Sequence, residues 1–189
     1  MYSMQKVLIA GLGNPGKPGT RHNFGIDAVR LFVERMQERG KLTSDWKTEM
    51  AFEGEVAAVT QLGREVVCFF PITFMNDSGR AVAKYVNFFK IPLSHVLIVH
   101  DELELPLGEV RLDVGGPARG HNGVRSIEQV LGTGGVARLR LGIGRPADGT
   151  AVDQYVLDEF ADSEQMMVMQ TMASAADQIL SFTVNLPQE

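Results

Sequence analysis

Four short stretches of this chain carry side chains suited to moving a proton and holding a carbonyl group. Asn14, His22 and Asn23 lie in GLGNPGKPGTRHN, residues 11–23; Asn76 follows PITFM; Asp101 stands in HDE; His121 and Asn122 lie in GGPARGHNG. A histidine with an ordinary pKa near ~6.5 accepts a proton at neutral pH. A carboxylate on its other ring nitrogen fixes the tautomer and stabilises the imidazolium that forms. Asparagine amides are uncharged donors and acceptors, suited to a substrate carbonyl, a peptide backbone or a developing oxyanion. No serine sits in a G-x-S-x-G elbow, and Cys68, inside VVCFF, reads as a small core residue. Water activated by a general base is therefore the expected nucleophile. A metal would draw on His22, His100, Asp101 and His121, but neither H-E-x-x-H nor a Cys/His cluster is present, so no metal site and no cofactor are expected. Taken singly, each residue has a plainer role: Asp101 as a turn cap, Asn76 or Asn122 as an N-cap, His121 as an exposed loop histidine.

The first stretch also spells G-x-G-x-x-G through Gly11, Gly13 and Gly16. A dinucleotide loop needs a helix opening within the glycines and an acidic residue closing a second strand ~20 residues on. Pro15, Pro18 and Gly19 bar a helix until about Asn23, and Glu34 falls inside an amphipathic helix. The loop reads instead as a scaffold for Asn14 and His22.

The elements that must position these residues follow from periodicity. Residues 7–10 read as a buried strand, and Ile26, Val29, Phe32, Val33 and Met36 as a helix ended by Gly40. Residues 52–60 and 65–70 form a hairpin turning near Leu62 and Gly63. Val82, Tyr85, Val86 and Phe89 mark a helix closed by Pro92; 96–99 is a short central strand, 109–114 a strand, 124–131 a helix and 138–143 a strand. The C-terminal third is helical, and its stripe of Met166, Met169, Met172, Ala176 and Leu180 is expected to face the core. Every polar stretch falls at the C-terminal end of a predicted strand, the edge where α/β sheets build sites. The expected fold class is α/β: a single domain over residues 1–189, with a mixed β-sheet flanked by helices.

Charge is unevenly spread. The net charge is −5, yet every lysine and arginine lies at or before Arg145, where basic residues exceed acidic ones by three. Between Arg111 and Arg145, arginines 111, 119, 125, 138, 140 and 145 face only Asp113 and Glu128. Arginine's planar fork suits phosphate, so this segment is a candidate phosphate-binding surface, with a solvated face as the alternative. No apolar run reaches the ~18 residues of a membrane span, and residues 1–6 leave no room for a signal or transit peptide.

GLGNPG with TRHN, PITFMN followed by SG, HDELELPLG, GHNGVRS and RLRLGIGRP, in that order, resemble bacterial-type peptidyl-tRNA hydrolase over residues 7–182. The resemblance implies cleavage of the ester between a peptide and the terminal ribose of tRNA, recycling tRNA from aborted translation. By it, His22 is the general base and Asp101 its orienting partner. Asn14, Asn76 and Asn122 match positions that bind the peptidyl part or the attacking water, and Phe74, Met75 and His121 match the lining of the substrate groove. Arg140 matches a residue contacting the tRNA's terminal phosphate. The implied partner is peptidyl-tRNA, through its acceptor stem and 3′ end, bound by a monomer without an obligate protein partner in the cytoplasm or mitochondrial matrix. Two departures stand out. Seven residues separate Asn14 from His22, where bacterial members have nine including a tyrosine, a shortening similar to that in eukaryotic, mitochondrion-associated members. Asp113 stands where bacterial members place a phosphate-binding lysine, so Arg111, Arg119 or Arg125 is expected to take over part of the backbone contact. An RNA-binding module without catalysis is the second reading, and it would need neither His22, Asp101 nor the asparagines.

Overall fold

The computed structural model describes residues 4–132, 135–146 and 149–187. Asp148 and Glu189, counted in the acidic C-terminal stretch, and residues 1–3 of the segment read for a targeting sequence lie outside the described residues. Seven strands form one sheet: β1 (Lys6–Gly11), β2 (Leu42–Glu49), β3 (Gly54–Gln61), β4 (Arg64–Pro71), β5 (Val96–Glu102), β6 (Val110–Val114) and β7 (Ala137–Gly142). Their order is β2-β3-β4-β1-β5-β7-β6. Strands β4, β1, β5 and β7 are mutually parallel, while β3 and β6 run against them. The helices are α1 (Phe24–Glu38), α2 (Ser78–Phe89), α3 (Asn122–Leu131), α4 (Val152–Leu157) and α5 (Gln165–Asn185).

Alternation along β1 explains the layering. Val7 and Ile9 enter one core with Phe24, Phe32 and Met36 of α1 and with Ile179 of α5; Leu8 and Ala10 enter the other with Val82 and Val86 of α2 and Ile127 of α3. A strand buried on both faces must be apolar throughout, which is why residues 7–10 show no polar alternation. Each large side chain fully buried there contributes about 1.5–3 kcal/mol. The β3–β4 turn falls at Leu62 and Gly63, both with positive φ (49° and 74°), the conformation that two-residue hairpins require.

Three expectations fail. Strand β2 has no counterpart among the predicted elements, because LTSDWKTE is an edge strand whose only large apolar side chains, Leu42 and Trp46, are half-buried against the core, Trp46 stacked on Phe70 at 4.3 Å. The methionine stripe is core only in its C-terminal part. Met166 and Met169 are 69% and 60% exposed, whereas Ala176 is buried, Met172 and Leu180 pack against the core, and α5 also buries Val168, Thr171, Ala175, Ile179 and Thr183. Methionines dominated the apparent stripe, but the small residues fit the close approach to α1. Finally, His121 and Asn122 do not follow a strand ending at the common edge. β6 is antiparallel, and its last residue, Val114, pairs with Ala137 at the start of β7. The chain must climb back along the sheet, and Arg138 guides it, donating to the Pro117 carbonyl at 3.2 Å, to the Gly116 carbonyl and to Glu128.

Candidate active site

His22 closes a short 3-10 turn, Arg21–Asn23, between β1 and α1. The turn is pressed onto β5, since a Cβ on Gly25 would fall 2.2 Å from the Val99 carbonyl oxygen. Only glycine permits that approach, and it brings His22 beside the C-terminal end of β5. There Asp101, 2% exposed, sits within the strand rather than after it. His22 Nδ1 lies 2.9 Å from Asp101 Oδ1, and His121 Nε2 lies 3.0 Å from the same oxygen.

The tautomers follow from the partners. His121 Nδ1 accepts from the backbone N–H groups of Gly123 and Val124 at 3.1 and 3.3 Å, so it is the N-cap of α3. With Nδ1 accepting, its proton resides on Nε2 and is donated to Asp101. His22 then donates Nδ1–H to the same carboxylate, leaving Nε2 as a lone pair. That Nε2 has no partner among the described residues and is not a buried orphan, so it keeps contact with solvent. The plain readings of Asn122 as the N-cap and of His121 as an exposed loop residue both give way to this arrangement. His22, Asp101 and His121 have ligand atoms within 4.8 Å of one another, but two of those nitrogens are committed as donors to the third group. That donor set does not suit a cation.

Burial lowers the pKa of His22, but the charge and hydrogen bond of Asp101, aided by the charge of Asp153, outweigh it; the net shift is upward. Burial alone would raise Asp101, yet the two histidines hold it well below the usual carboxylate range. His100, the next residue back, is buried with Nδ1 2.6 Å from the Asp101 carbonyl oxygen and Nε2 unpartnered. Burial above all pushes its pKa down to about 3. It is a neutral packing group. Cys68 is buried and burial pushes its thiol up, so it offers no thiolate.

Asn14 lies at the exit of β1. Its Oδ1 accepts from the Met75 backbone N–H at 3.1 Å, tying the first loop to the turn before α2. Asn23 locks it further: its Oδ1 accepts from the Asn14 N–H at 2.8 Å and its Nδ2 donates to the Asn14 carbonyl at 3.1 Å. Asn76 and Asn122 are exposed and make no side-chain hydrogen bond among the described residues. Phe74 is 74% exposed beside them, whereas Met75 is buried, its sulfur where a Cβ on Gly123 would be. Sequence reasoning missed Arg21. Its guanidinium donates to the Glu159 carbonyl and to Glu164, each at 2.7 Å, and lies over Tyr155 and Phe160 at 4.3 and 4.9 Å. It fastens the His22 turn to the segment around α4, which places Asp153 in the small cleft beside His22. Nothing in TRHN distinguishes that arginine from a surface one before the fold is known.

The arginines divide by burial. Arg138 and Arg140 are buried; Arg140 donates Nε to Glu102 at 2.9 Å and Nη1 to Asp113 at 2.7 Å, leaving Nη2 as its unengaged edge. Arg111 pairs with Glu109 and Arg145 with Glu104. Arg119 and Arg125 make no ion pair among the described residues and are exposed.

Residues 8–188 match the family described as peptidyl-tRNA hydrolase. The chain belongs to the peptidyl-tRNA hydrolase family. Peptidyl-tRNA hydrolases of Halorhodospira halophila and Xanthobacter autotrophicus are 45% and 44% identical to it, over 91% and 90% of this chain and 87% and 81% of theirs. A crystal structure of the peptidyl-tRNA hydrolase from Acinetobacter baumannii superposes with a TM-score of 0.78 at 36% identity, covering 96% of this chain and 88% of that one. This family membership covers both loops that meet at Asn14 and the strand that carries Asp101.

Proposed function

We propose that this chain hydrolyses the ester between the peptide and the terminal ribose of peptidyl-tRNA, using water as nucleophile and His22 as general base. The observation that carries this reading is the His22–Asp101 pair, with Nδ1 held at 2.9 Å from a buried carboxylate and Nε2 open to solvent. His22 Nε2 takes a proton from water as its oxygen bonds to the ester carbonyl carbon. The imidazolium forms beside Asp101, whose negative charge stabilises it. Collapse of the tetrahedral intermediate breaks the bond to the ribose oxygen, and the proton on Nε2 passes to that leaving group. Free tRNA and the peptide's carboxylic acid result, and the acid ionises to the carboxylate by losing its proton to solvent. The unengaged amides of Asn76 and Asn122 supply donors near the reacting carbonyl, and the Asn14 side chain, fixed by Met75, holds the N-acyl group of the esterified residue.

His121 acts through Asp101 as a positioning residue, since its capping bonds orient the N–H that it donates to the carboxylate. The exposed Arg119 and Arg125, with the free edge of Arg140, supply phosphate contacts for the acceptor stem. Arg111 contributes less, being occupied by Glu109. None of the described helices is long and apolar enough to cross a membrane. The reading places a monomer wherever translation leaves peptidyl-tRNA, in the cytoplasm or the mitochondrial matrix.

The test is tRNA release from N-acetyl-aminoacyl-tRNA by the wild type and His22→Ala. The variant is expected to lose about 10²–10⁴ in turnover while retaining tRNA affinity. Undiminished turnover would remove His22 from the mechanism.

A further inference from the structure

A second cavity, of about 320 Å³, is lined by Asn14 and Asn23 but not by His22, and lies between α1, the end of β4 and the proline-rich loop. Pro15, Pro18, Ile26, Phe70 and Ile72 give it apolar walls. Asp27, in the first turn of α1 and five residues beyond His22, contributes a carboxyl group to it. That group accepts no hydrogen bond and joins no ion pair among the described residues. The other charges on the lining are Arg30 and Glu55, which pair with each other at 3.3 Å. Arg30 is further occupied over Trp46 and Phe70, at 5.7 and 5.1 Å. The cavity therefore presents, beside apolar walls, one carboxylate without a hydrogen-bond or ion-pair partner among the described residues, in a space large enough for an amino-acid side chain.

We infer that this cavity receives the peptide residue immediately upstream of the esterified one, and that Asp27 makes it favour a cationic nitrogen there. The inference rests on the ester-hydrolase reading above, because it takes direction from it: the ester lies at His22, Asn14 holds the N-acyl group, and the next residue of the peptide leads into the space beyond Asn14. The nitrogen is supplied either by a lysine or arginine side chain or, in a dipeptide, by the α-ammonium. A carboxylate in the first turn of a helix is stabilised by the helix dipole, but burial acts the other way and raises Asp27 to about 6, against the pull of Arg30. A cationic ligand would offset that burial cost, which is the physical basis of the preference.

The experiment compares kcat/KM for dipeptidyl-tRNAs with alanine as the esterified residue. N-acetylated forms carry lysine, norleucine or glutamate upstream; a further pair sets unblocked alanyl-alanyl-tRNA against its N-acetyl form. Lysine is expected to exceed norleucine by roughly threefold to tenfold, and glutamate to fall below both. An advantage confined to lysine assigns the site to side chains, and one confined to the unblocked dipeptide assigns it to the α-ammonium. The lysine-to-norleucine ratio should drop toward one in Asp27→Asn and invert toward glutamate in Asp27→Lys. Should those variants fail to fold, the wild-type ratio measured against pH decides. It should fall as pH drops through about 6, and titration of His22, common to both substrates, cancels in it. The charged groups facing Asp27 are Arg30, on its own helix, and Glu55, on β3; the loop and β4 contribute only uncharged lining. Equal rates for all substrates, or a preference unchanged by Asp27→Asn, would overturn the subsite while leaving the hydrolase reading intact. Release from none of them would overturn that reading and the subsite together.

Discussion

Replacing Asp101 with asparagine separates charge from shape at the centre of the site. Asparagine is nearly isosteric, and its carbonyl can still accept from His22 Nδ1 and His121 Nε2, which lie at 2.9 and 3.0 Å from Asp101 Oδ1. What disappears is the negative charge beside the imidazolium formed during proton transfer. Two unit charges about 4 Å apart attract by roughly 4 kcal/mol at an effective dielectric of ~20. The amide dipole recovers part of this, so the expected loss is about 2–4 kcal/mol, or roughly 30- to 1,000-fold in turnover. The resting enzyme should change as well. Burial lowers the pKa of His22 and Asp101 outweighs it; without that charge burial dominates, leaving only the smaller opposing effect of Asp153. The acid limb of the rate profile, which lies above ~6.5 in the wild type, should therefore move below that value in Asp101→Asn. Plateau and midpoint both fall, although a lower pKa by itself leaves more of the base neutral. Single-turnover release of tRNA from N-acetyl-aminoacyl-tRNA, followed from about pH 5 to about pH 8, reads both quantities. A limb that stays in place while the rate drops would mean that Asp101 merely supports the fold around His22. Adding His22→Ala to Asp101→Asn should cost little more, because the two act as one unit.

Other parts of the structure make narrower demands. Asn23→Ala removes two hydrogen bonds to the Asn14 backbone and should cost about 1–3 kcal/mol in urea unfolding. It should also raise KM for N-blocked substrate, as the Asn14 amide loses its fixed position. Arg119→Ala and Arg125→Ala should each flatten the slope of log tRNA affinity against log salt by about 0.7–0.9, and an unchanged slope in both would place the acceptor stem elsewhere. Arg140→Ala should differ in kind: with Glu102 left buried and unpaired, stability is expected to fall by about 3–5 kcal/mol, whatever happens to the slope. His100 is neutral in the fold with a pKa of about 3, so the unfolded chain takes up its proton first. Its contribution is complete above ~6.5 and is lost as pH falls toward about 3, at up to ~1.4 kcal/mol per pH unit, so His100→Leu should flatten the acid arm of a stability-against-pH curve.

The residues suited to chemistry were legible because local sequence dictates their setting. A proline-interrupted loop after an apolar strand can hardly be anything but irregular, and HDE after VLIV puts a carboxylate at a strand end whatever surrounds it. The failures all concern direction or distance in three dimensions. β6 looked like every other strand, and nothing in RLDV states that it runs antiparallel and delivers the chain to the wrong end of the sheet. The return path is fixed by Arg138 and the Gly116 and Pro117 carbonyls it holds, which sequence alone shows only as a positive charge beside a turn. The arginine count misled for the same reason. Six arginines against two acids suggested one basic surface, but acids just outside the window take three of them: Glu102 on the neighbouring strand pairs with Arg140, Glu104 with Arg145, and Glu109, two residues back, with Arg111. A charge count along the chain measures neighbours in sequence, whereas phosphate meets neighbours in space. Within that segment the fold leaves two guanidinium groups without an ion pair among the described residues, and one edge of a third. That smaller inventory has a consequence for specificity: Asp113 does not simply cancel a basic clamp, it anchors Arg140 so that its Nη2 alone can meet an anion in one orientation. Aspartate at this position exchanges the strength of a free cation for a fixed donor, and Asp113→Asn should accordingly loosen discrimination among tRNA ends more than it changes affinity. Equal binding of 5′-phosphorylated and dephosphorylated tRNA by both proteins would show that Arg140 reads no phosphate at all.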